Sequence, residues 1–306
     1  MKVFITGGSG YVGSVLVERL IAAGYEVSAL ARSEASAARL AATGARPVRG
    51  QLADAALLRT SAESADAVIH AAVDYSMSDE ANATELAAVT ALVHGAGAAD
   101  ASKPVVYTST GLVYGFDPAR STDEDAELPE VSAQPVKAAA ERLVLNAPGI
   151  TPIIVRAGLV YGRGGSGLIT GLIGSAEQHD VATYIDDGAN TWHPIHVDDL
   201  AALYLAALAA PVAGVYNAVG DHPFSFRELA EAIADLTGAQ ALSIPFEAAQ
   251  HQLGPFAHVL ASTSRTSADK ARRTFAWAPA AVPLIDDVRA GSYRSAVRGV
   301  QASAGA

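Results

Sequence analysis

The sequence predicts an α/β protein built on a doubly wound parallel sheet, with a smaller C-terminal region folded over the mouth of that sheet. Two observations predict it. Short β-branched runs alternate with longer helical patterns as far as residue 160, and continuously apolar strands separated by helices belong to a parallel sheet covered on both faces. From Tyr161 onward the elements shorten while Gly, Pro and His become more frequent. A boundary is therefore expected near residue 160, with 1–160 as the first domain, also receiving parts of 190–220, and 161–306 as the smaller region.

The elements follow in order. Val3 to Thr6 reads as a strand, followed by a helix from about Tyr11 to Ala23, a strand from Glu26 to Ala31 and a helix through Leu40. A short strand near Pro47 to Arg49, a strand from Ala67 to Ala72, a long helix across Glu80 to Ala101 and a strand from Pro104 to Ser109 continue the alternation. The polar, acidic stretch from Asp117 to Ser132 reads as a rim or lid beside a site, and its Asp123-Glu124-Asp125 run as a solvated loop. A helix from about Gln134 to Asn146 precedes the strand Thr151 to Ala157. Asp198 is the expected N-cap of a helix running through Leu208, because a carboxylate accepts the free N–H groups of a first turn. Residues 301–306 read as a frayed end.

Composition excludes several function classes. The 306 residues carry a formal net charge of −11 with no clustered Lys/Arg stripe. Nucleic acid and anionic membrane are poor partners for such a surface, since phosphate binding needs neutralising cations; a small molecule is the expected partner. There is no cysteine, so disulfides, thiolate nucleophiles and Cys-ligated metals are excluded. The histidines form no HExxH or HxH pattern, and no metal is expected. The chain starts on a strand-like run without a basic segment and apolar core, and its alanine-rich stretches fall short of the roughly 18 apolar residues of a spanning helix. A cytoplasmic location is the expectation.

The glycine-rich turn is the strongest motif. Thr6-Gly7-Gly8-Ser9-Gly10-Tyr11-Val12-Gly13 sits between a strand and a helix, with glycines at 7, 10 and 13. Gly7 permits the tight turn, Gly10 lets the backbone approach a pyrophosphate, and Gly13 lets the helix pack closely on the strand. The helix N-terminus, with Tyr11 and Val12, faces the phosphate charge. The second strand ends in Ala31-Arg32-Ser33, where a site for NAD(H) usually offers a carboxylate to the ribose 2′-hydroxyl. A guanidinium there suits a 2′-phosphate, so NADP(H) is preferred over NAD(H).

The TGxxGxxG spacing resembles the short-chain dehydrogenase/reductase superfamily, in particular its extended or atypical, epimerase/dehydratase-like branch. Other segments share the resemblance. Asp66 to Ala72 looks like the strand whose end, Ala71-Ala72, passes under the adenosine ribose, and Leu52 falls where the family lines the cofactor. Val105 to Gly115, VVYTSTGLVYG, is similar to the strand carrying the family's catalytic hydroxyl. Val155 to Gly162, with Ala157 and Leu159, resembles the segment beside the nicotinamide. Trp192 to Ala201 and Ala271 to Pro279 resemble two later family segments. The resemblance implies a Rossmann-type fold with a C-terminal substrate-binding domain. It also implies a homodimer through the helices near 80–101 and 134–147.

The resemblance further implies an active-site Tyr four residues before a Lys, on one helix face. Lys137 fills the Lys position, with Glu141 following in the usual place, but Ala133 stands where the Tyr belongs, and a methyl group cannot donate a proton. Thr110 corresponds to the catalytic hydroxyl and Ser109 is its neighbour; Lys137 would hold the nicotinamide ribose. Tyr114, Tyr161, Tyr75 and His193 are the other acids from segments near the pocket, and packing is the simpler role for each. The leading expectation is an NADP(H)-dependent oxidoreductase that reduces a carbonyl or imine group of a small, fairly apolar substrate with an atypical proton donor. A catalytically silent NADP(H)-binding sensor and a nucleotide-sugar epimerase or dehydratase are the alternatives.

Overall fold

The computed structural model describes residues 1–73, 78–98, 101–115, 122–130 and 132–294. The first half runs β1 (Lys2–Thr6), α1 (Tyr11–Ala22), β2 (Glu26–Ala31), α2 (Glu34–Ala42), β3 (Arg46–Arg49), α3 (Ala55–Ser64), β4 (Ala67–His70), α4 (Asp79–Ala96), β5 (Lys103–Thr110), α5 (Pro135–Leu145) and β6 (Ile150–Ala157). The second half runs β7 (Leu159–Tyr161), α6 (Gly167–His179), β8 (Val181–Ile185), β9 (Thr191–Trp192), β10 (Pro194–His196), α7 (Val197–Ala209), β11 (Gly214–Ala218) and β12 (Phe224–Ser225). It continues with α8 (Phe226–Thr237), β13 (Gln240–Ile244), α9 (Phe246–Leu253), α10 (Phe256–Ala261), α11 (Asp269–Phe275) and α12 (Leu284–Ala290).

Seven strands form the central sheet in the order β11-β6-β5-β4-β1-β2-β3, each parallel to its neighbours. This is a Rossmann-type, doubly wound α/β sheet. The pleat sorts the apolar residues between two cores. Val3 and Ile5 of β1 face Leu16, Leu20, Leu200 and Leu203 of α1 and α7, whereas Phe4 between them faces Leu58, Val89 and Leu92 of α3 and α4. The direction of winding reverses between β1 and β4, and ligands of such sheets bind at the carboxyl ends of the strands beside that reversal. A third core, including Ile169, Ile173, Leu229, Ile233, Leu284 and Val288, belongs to α6, α8 and α12.

The structure differs from the sequence expectations at several points. The long helix ends at Ala96 rather than near 101. Its cap, Gly97, lies so close to the Pro148 carbonyl that a Cβ would stand 2.6 Å away. The strand begun at Ala67 stops at His70, because the backbone of Ala71 and Ala72 turns against Gly7. The helix α3 was not foreseen. The N-cap of α7 is His196, whose Nδ1 accepts from the Asp198 N–H at 3.2 Å, whereas Asp198 points outward to Arg19 and Arg163, 2.7 and 2.6 Å away. The rim stretch 117–132 falls partly outside the described residues. Within it, Glu124 is no free solvated acid: its Oε1 accepts from the Asn217 backbone N–H at 2.8 Å. Tyr75 and 301–306 also lie outside the described residues. No described helix is long and apolar enough to cross a membrane.

Candidate functional site

The site is built at the carboxyl edge of β1, β4, β5 and β6. The turn after β1 carries Gly7 at φ +76°, where a Cβ would stand 2.5 Å from the backbone of Ala71 and Ala72. Gly7 therefore makes the turn and also allows the ends of β1 and β4 to touch. Gly13 packs against the Gly7 carbonyl, so its contact is with the turn itself rather than with the strand. Gly10 is the N-cap of α1, and a Cβ there would meet only the Gly7 carbonyl, at 3.3 Å. With no cap side chain, the first-turn N–H groups of Tyr11, Val12 and Gly13 are offered outward, a cradle for a phosphate anion. The Tyr11 phenol is spent elsewhere, donating to the Gly162 carbonyl at 2.8 Å, and burial drives its pKa upward.

Arg32 is exposed at the end of β2. Ser33 beside it is the N-cap of α2, its Oγ accepting from the Ser36 N–H at 3.2 Å in a reciprocal box. Leu52, half-buried, packs against the core around Phe4 after β3. Ala157 is paired with Thr110 across β6 and β5, and Leu159 packs against the small-domain core.

The three candidate catalytic residues sit in different surroundings. The Thr110 Oγ1 accepts from the Leu112 N–H at 3.3 Å, capping a short 3₁₀ turn, Gly111–Tyr114, and this leaves its own O–H free to donate. Ser109 points to the opposite face of the sheet and gives its proton to Glu141 Oε1. Glu141 is in turn held by Arg156, Nη2 to Oε2 at 2.6 Å, with both side chains buried. The Arg156 guanidinium stacks 4.8 Å over the Tyr114 ring, whose O–H donates to Asn217 Oδ1 at 2.8 Å. Ser109 and Tyr114 thus belong to a packed polar cluster.

Lys137 is buried rather than reaching freely into the crevice. Its Nζ donates to Glu85 Oε1 at 2.9 Å and to the Thr108 carbonyl at 3.4 Å, and it lies 4.9 Å over the Tyr107 ring. Glu85 also accepts from the Tyr107 O–H at 2.7 Å and pairs through Oε2 with His70 Nε2 at 3.1 Å. The other nitrogen of His70 lies 2.7 Å from Thr6 Oγ1. One network therefore ties β1, β4, β5, α4 and α5 together beneath the glycine turn. Burial alone would raise the Glu85 carboxyl, but His70 and Lys137 override it and hold the pKa far below the usual carboxylate range. The same burial, with the Glu85 charge, drives the Tyr107 phenol upward. Sequence reading identified Lys137 but not Glu85 or His70 as its partners.

Residues 3–219 match the model of the NAD dependent epimerase/dehydratase family. An uncharacterised protein of Schizosaccharomyces pombe is 30% identical over 297 residues, covering 96% of this chain and all of that protein. A 4-hydroxy-2-methyl-3-oxo-4-farnesyl-3,4-dihydroquinoline-1-oxide ketoreductase of Stigmatella aurantiaca is 33% identical over 265 residues, covering 82% of this chain and 78% of the relative. Among solved structures, the UDP-glucose 4-epimerase of Thermotoga maritima superposes with a TM-score of 0.79 at 18% identity, over 98% of this chain and all of the other, a likeness of fold. Family match, sheet order and glycine turn agree: the chain belongs to the NAD-dependent epimerase/dehydratase family.

Proposed function

We propose that this protein is an NADP(H)-dependent oxidoreductase that reduces the carbonyl or imine carbon of a small, fairly apolar substrate. The observation that carries the reading is the free O–H of Thr110, held at the carboxyl end of β5 next to Ala157, on the same edge of the sheet as the glycine turn after β1. The cradle fits a dinucleotide. At Gly7 and Gly13 any Cβ would meet backbone, and at Gly10 the space in front of the helix N-terminus stays open to a pyrophosphate. When bound, the dihydronicotinamide supplies a hydride to an electrophilic carbon.

The chain's own residues do the rest. Thr110 donates to the acceptor oxygen or nitrogen and orients it. Two of the three Lys137 N–H groups are held by Glu85 and Thr108; the third is assigned to a ribose hydroxyl. Arg32, exposed at the end of β2, is assigned to the 2′-phosphate of NADP(H), with the N-terminus of α2 beside it. The ketoreductase name of the Stigmatella aurantiaca relative supports a ketone substrate with apolar substituents. Association of two chains through α4 and α5 is the proposed assembly.

The test is turnover. The purified protein is incubated with NADPH and a panel of ketones, aldehydes and cyclic imines, and NADPH loss is followed at saturating cofactor. Stereoselective reduction of at least one panel member, reduced about 100-fold or more in Thr110→Ala, is the expected result. Binding of NADPH with no reduction of any panel member would leave the silent cofactor-binding protein as the better reading.

A further inference from the structure

A carbonyl reduction needs a proton as well as a hydride, and Ala133 cannot supply one. Nor, among the described residues, do the phenols near the site. Tyr107 donates to Glu85, Tyr114 to Asn217, Tyr161 to the Val282 carbonyl, Tyr11 to the Gly162 carbonyl and Tyr293 to the Gly165 carbonyl. Each phenol has a single proton, and in each of these it is already given to a protein acceptor. Burial, the largest cause throughout, pushes all five upward, away from ready proton transfer.

We propose that His193 is the general acid of this site, an inference that rests on the carbonyl reduction proposed above. Its place in the fold is the first argument. β10 runs parallel to β7 with Pro194 opposite Leu159, which puts His193 opposite Gly158. The approach is so close that a Cβ on Gly158 would strike the His193 carbonyl. Gly158 follows Ala157, and Ala157 is paired with Thr110. The His193 backbone thus abuts Gly158, which lies between the two residues, Ala157 and Leu159, assigned to the nicotinamide side, and Ala157 is the strand partner of Thr110.

Its ring geometry is the second argument. His193 Nδ1 lies 2.9 Å from the Ser264 carbonyl oxygen. A carbonyl only accepts, so Nδ1 carries the hydrogen, and this holds for both the neutral and the charged ring. Ser264 is itself fixed, its N–H donating to the Thr191 carbonyl at 2.9 Å and its Oγ 2.9 Å from Thr266 Oγ1. The ring is oriented by a rigid acceptor on one side, while Nε2 on the other bonds to nothing among the described residues. His70, by contrast, has both nitrogens engaged, and His196 spends Nδ1 on a helix cap. A half-buried histidine with one nitrogen fixed and the other open is arranged to carry a proton in and out.

The step balances. The carbonyl carbon receives the hydride with its electron pair, the C=O π pair moves onto oxygen, and that oxygen takes the proton from Nε2 of the His193 imidazolium. The N–H pair stays on nitrogen, leaving a neutral ring still protonated at Nδ1 and bonded to Ser264. Ketone, NADPH and one proton become alcohol and NADP⁺, and Nε2 recovers a proton from water. Thr110 then has the role of orienting the oxygen rather than protonating it.

Two measurements test this. In protein labelled with ¹⁵N-histidine, ring signals assigned through His193→Gln are followed while NADP⁺ is added. The expected result is a His193 ring protonated at Nδ1 whose Nε2 resonance shifts as NADP⁺ saturates, while those of exposed His94 and His179 stay in place. In the second, His193→Asn, which can still donate to Ser264, and His193→Gln are compared with wild type on a panel ketone that wild type reduces. A fall in kcat of about 100-fold or more is expected, with NADPH affinity within about twofold of wild type. Saturable NADP⁺ binding that leaves the His193 ring unmoved, or a kcat loss below about threefold in both variants, overturns the assignment. Absence of any NADP⁺ binding instead overturns the cofactor reading on which it rests.

Discussion

Lys137 and Glu85 form an ion pair in the interior, Nζ to Oε1 at 2.9 Å, with each side chain only 9% exposed. At that depth the attraction is set against desolvation of both ions, and removal of one partner leaves the other charge buried and alone. Glu85→Gln is therefore expected to destabilise the fold by about 3 kcal/mol, and Lys137→Met by a similar amount. The double variant Glu85→Gln/Lys137→Met should lose clearly less than the sum, because the second change removes a charge already orphaned. Urea titration of the four proteins measures the coupling; strict additivity would mean that the pair is not the unit described.

The same carboxylate makes stability depend on acid. The folded Glu85 pKa lies below that of an unfolded glutamate, about 4.3, so its contribution is fully present above that value and is lost as pH falls through and below it. The gap between wild type and Glu85→Gln should be constant above about pH 5 and should narrow steadily as pH falls from about 4 toward 3. A gap that does not narrow between about pH 4 and pH 3 speaks against a depressed Glu85.

Gly7 and Gly24 both have positive φ, +76° and +83°, yet they differ in surroundings. A Cβ at Gly24 meets nothing within 4 Å, whereas at Gly7 it meets the Ala71-Ala72 backbone at 2.5 Å. Gly24→Ala should cost only the left-handed strain, about 1 kcal/mol, and leave cofactor affinity unchanged. Gly7→Ala should cost more and abolish binding, because β1 and β4 must part. Thermal melts and NADPH titration of both variants make the comparison, and equal behaviour would count against the cradle.

Ser109 and Thr110 are adjacent but serve different ends. Ser109→Ala deprives the buried Glu141 of a donor and should cost about 2 kcal/mol of stability with kcat nearly intact. Thr110→Ala should do the reverse. A loss of turnover larger in Ser109→Ala than in Thr110→Ala would exchange their roles.

What the sequence made legible was local. Strand-helix alternation and the Gly7-Gly10-Gly13 spacing are periodic or contiguous signals, and the sheet and the turn follow from them. The helix α3 was missed because it buries only Leu58 and Ala62, a two-residue stripe, and contains Thr60, Ser61 and Ser64, which are weak helix formers. The α7 cap was misread because Asp198, the better capping residue by type, is drawn outward by two arginines while His196 takes its place. The network around Lys137 was invisible for another reason. Its members stand 15, 52 and 64 residues apart in pairs, and only the folded sheet brings them together.

The cradle at Gly7, Gly10 and Gly13, with Arg32 at its rim, is the proposed seat of NADP(H). Calorimetric titration of the full chain with NADPH and with NADH, for wild type and Arg32→Ala, tests it most directly. One NADPH per chain is expected, bound at least about tenfold more tightly than NADH, a difference of about 1.4 kcal/mol, with that preference lost in Arg32→Ala. Equal affinities of wild type for the two cofactors, or a preference unchanged in Arg32→Ala, would contradict it.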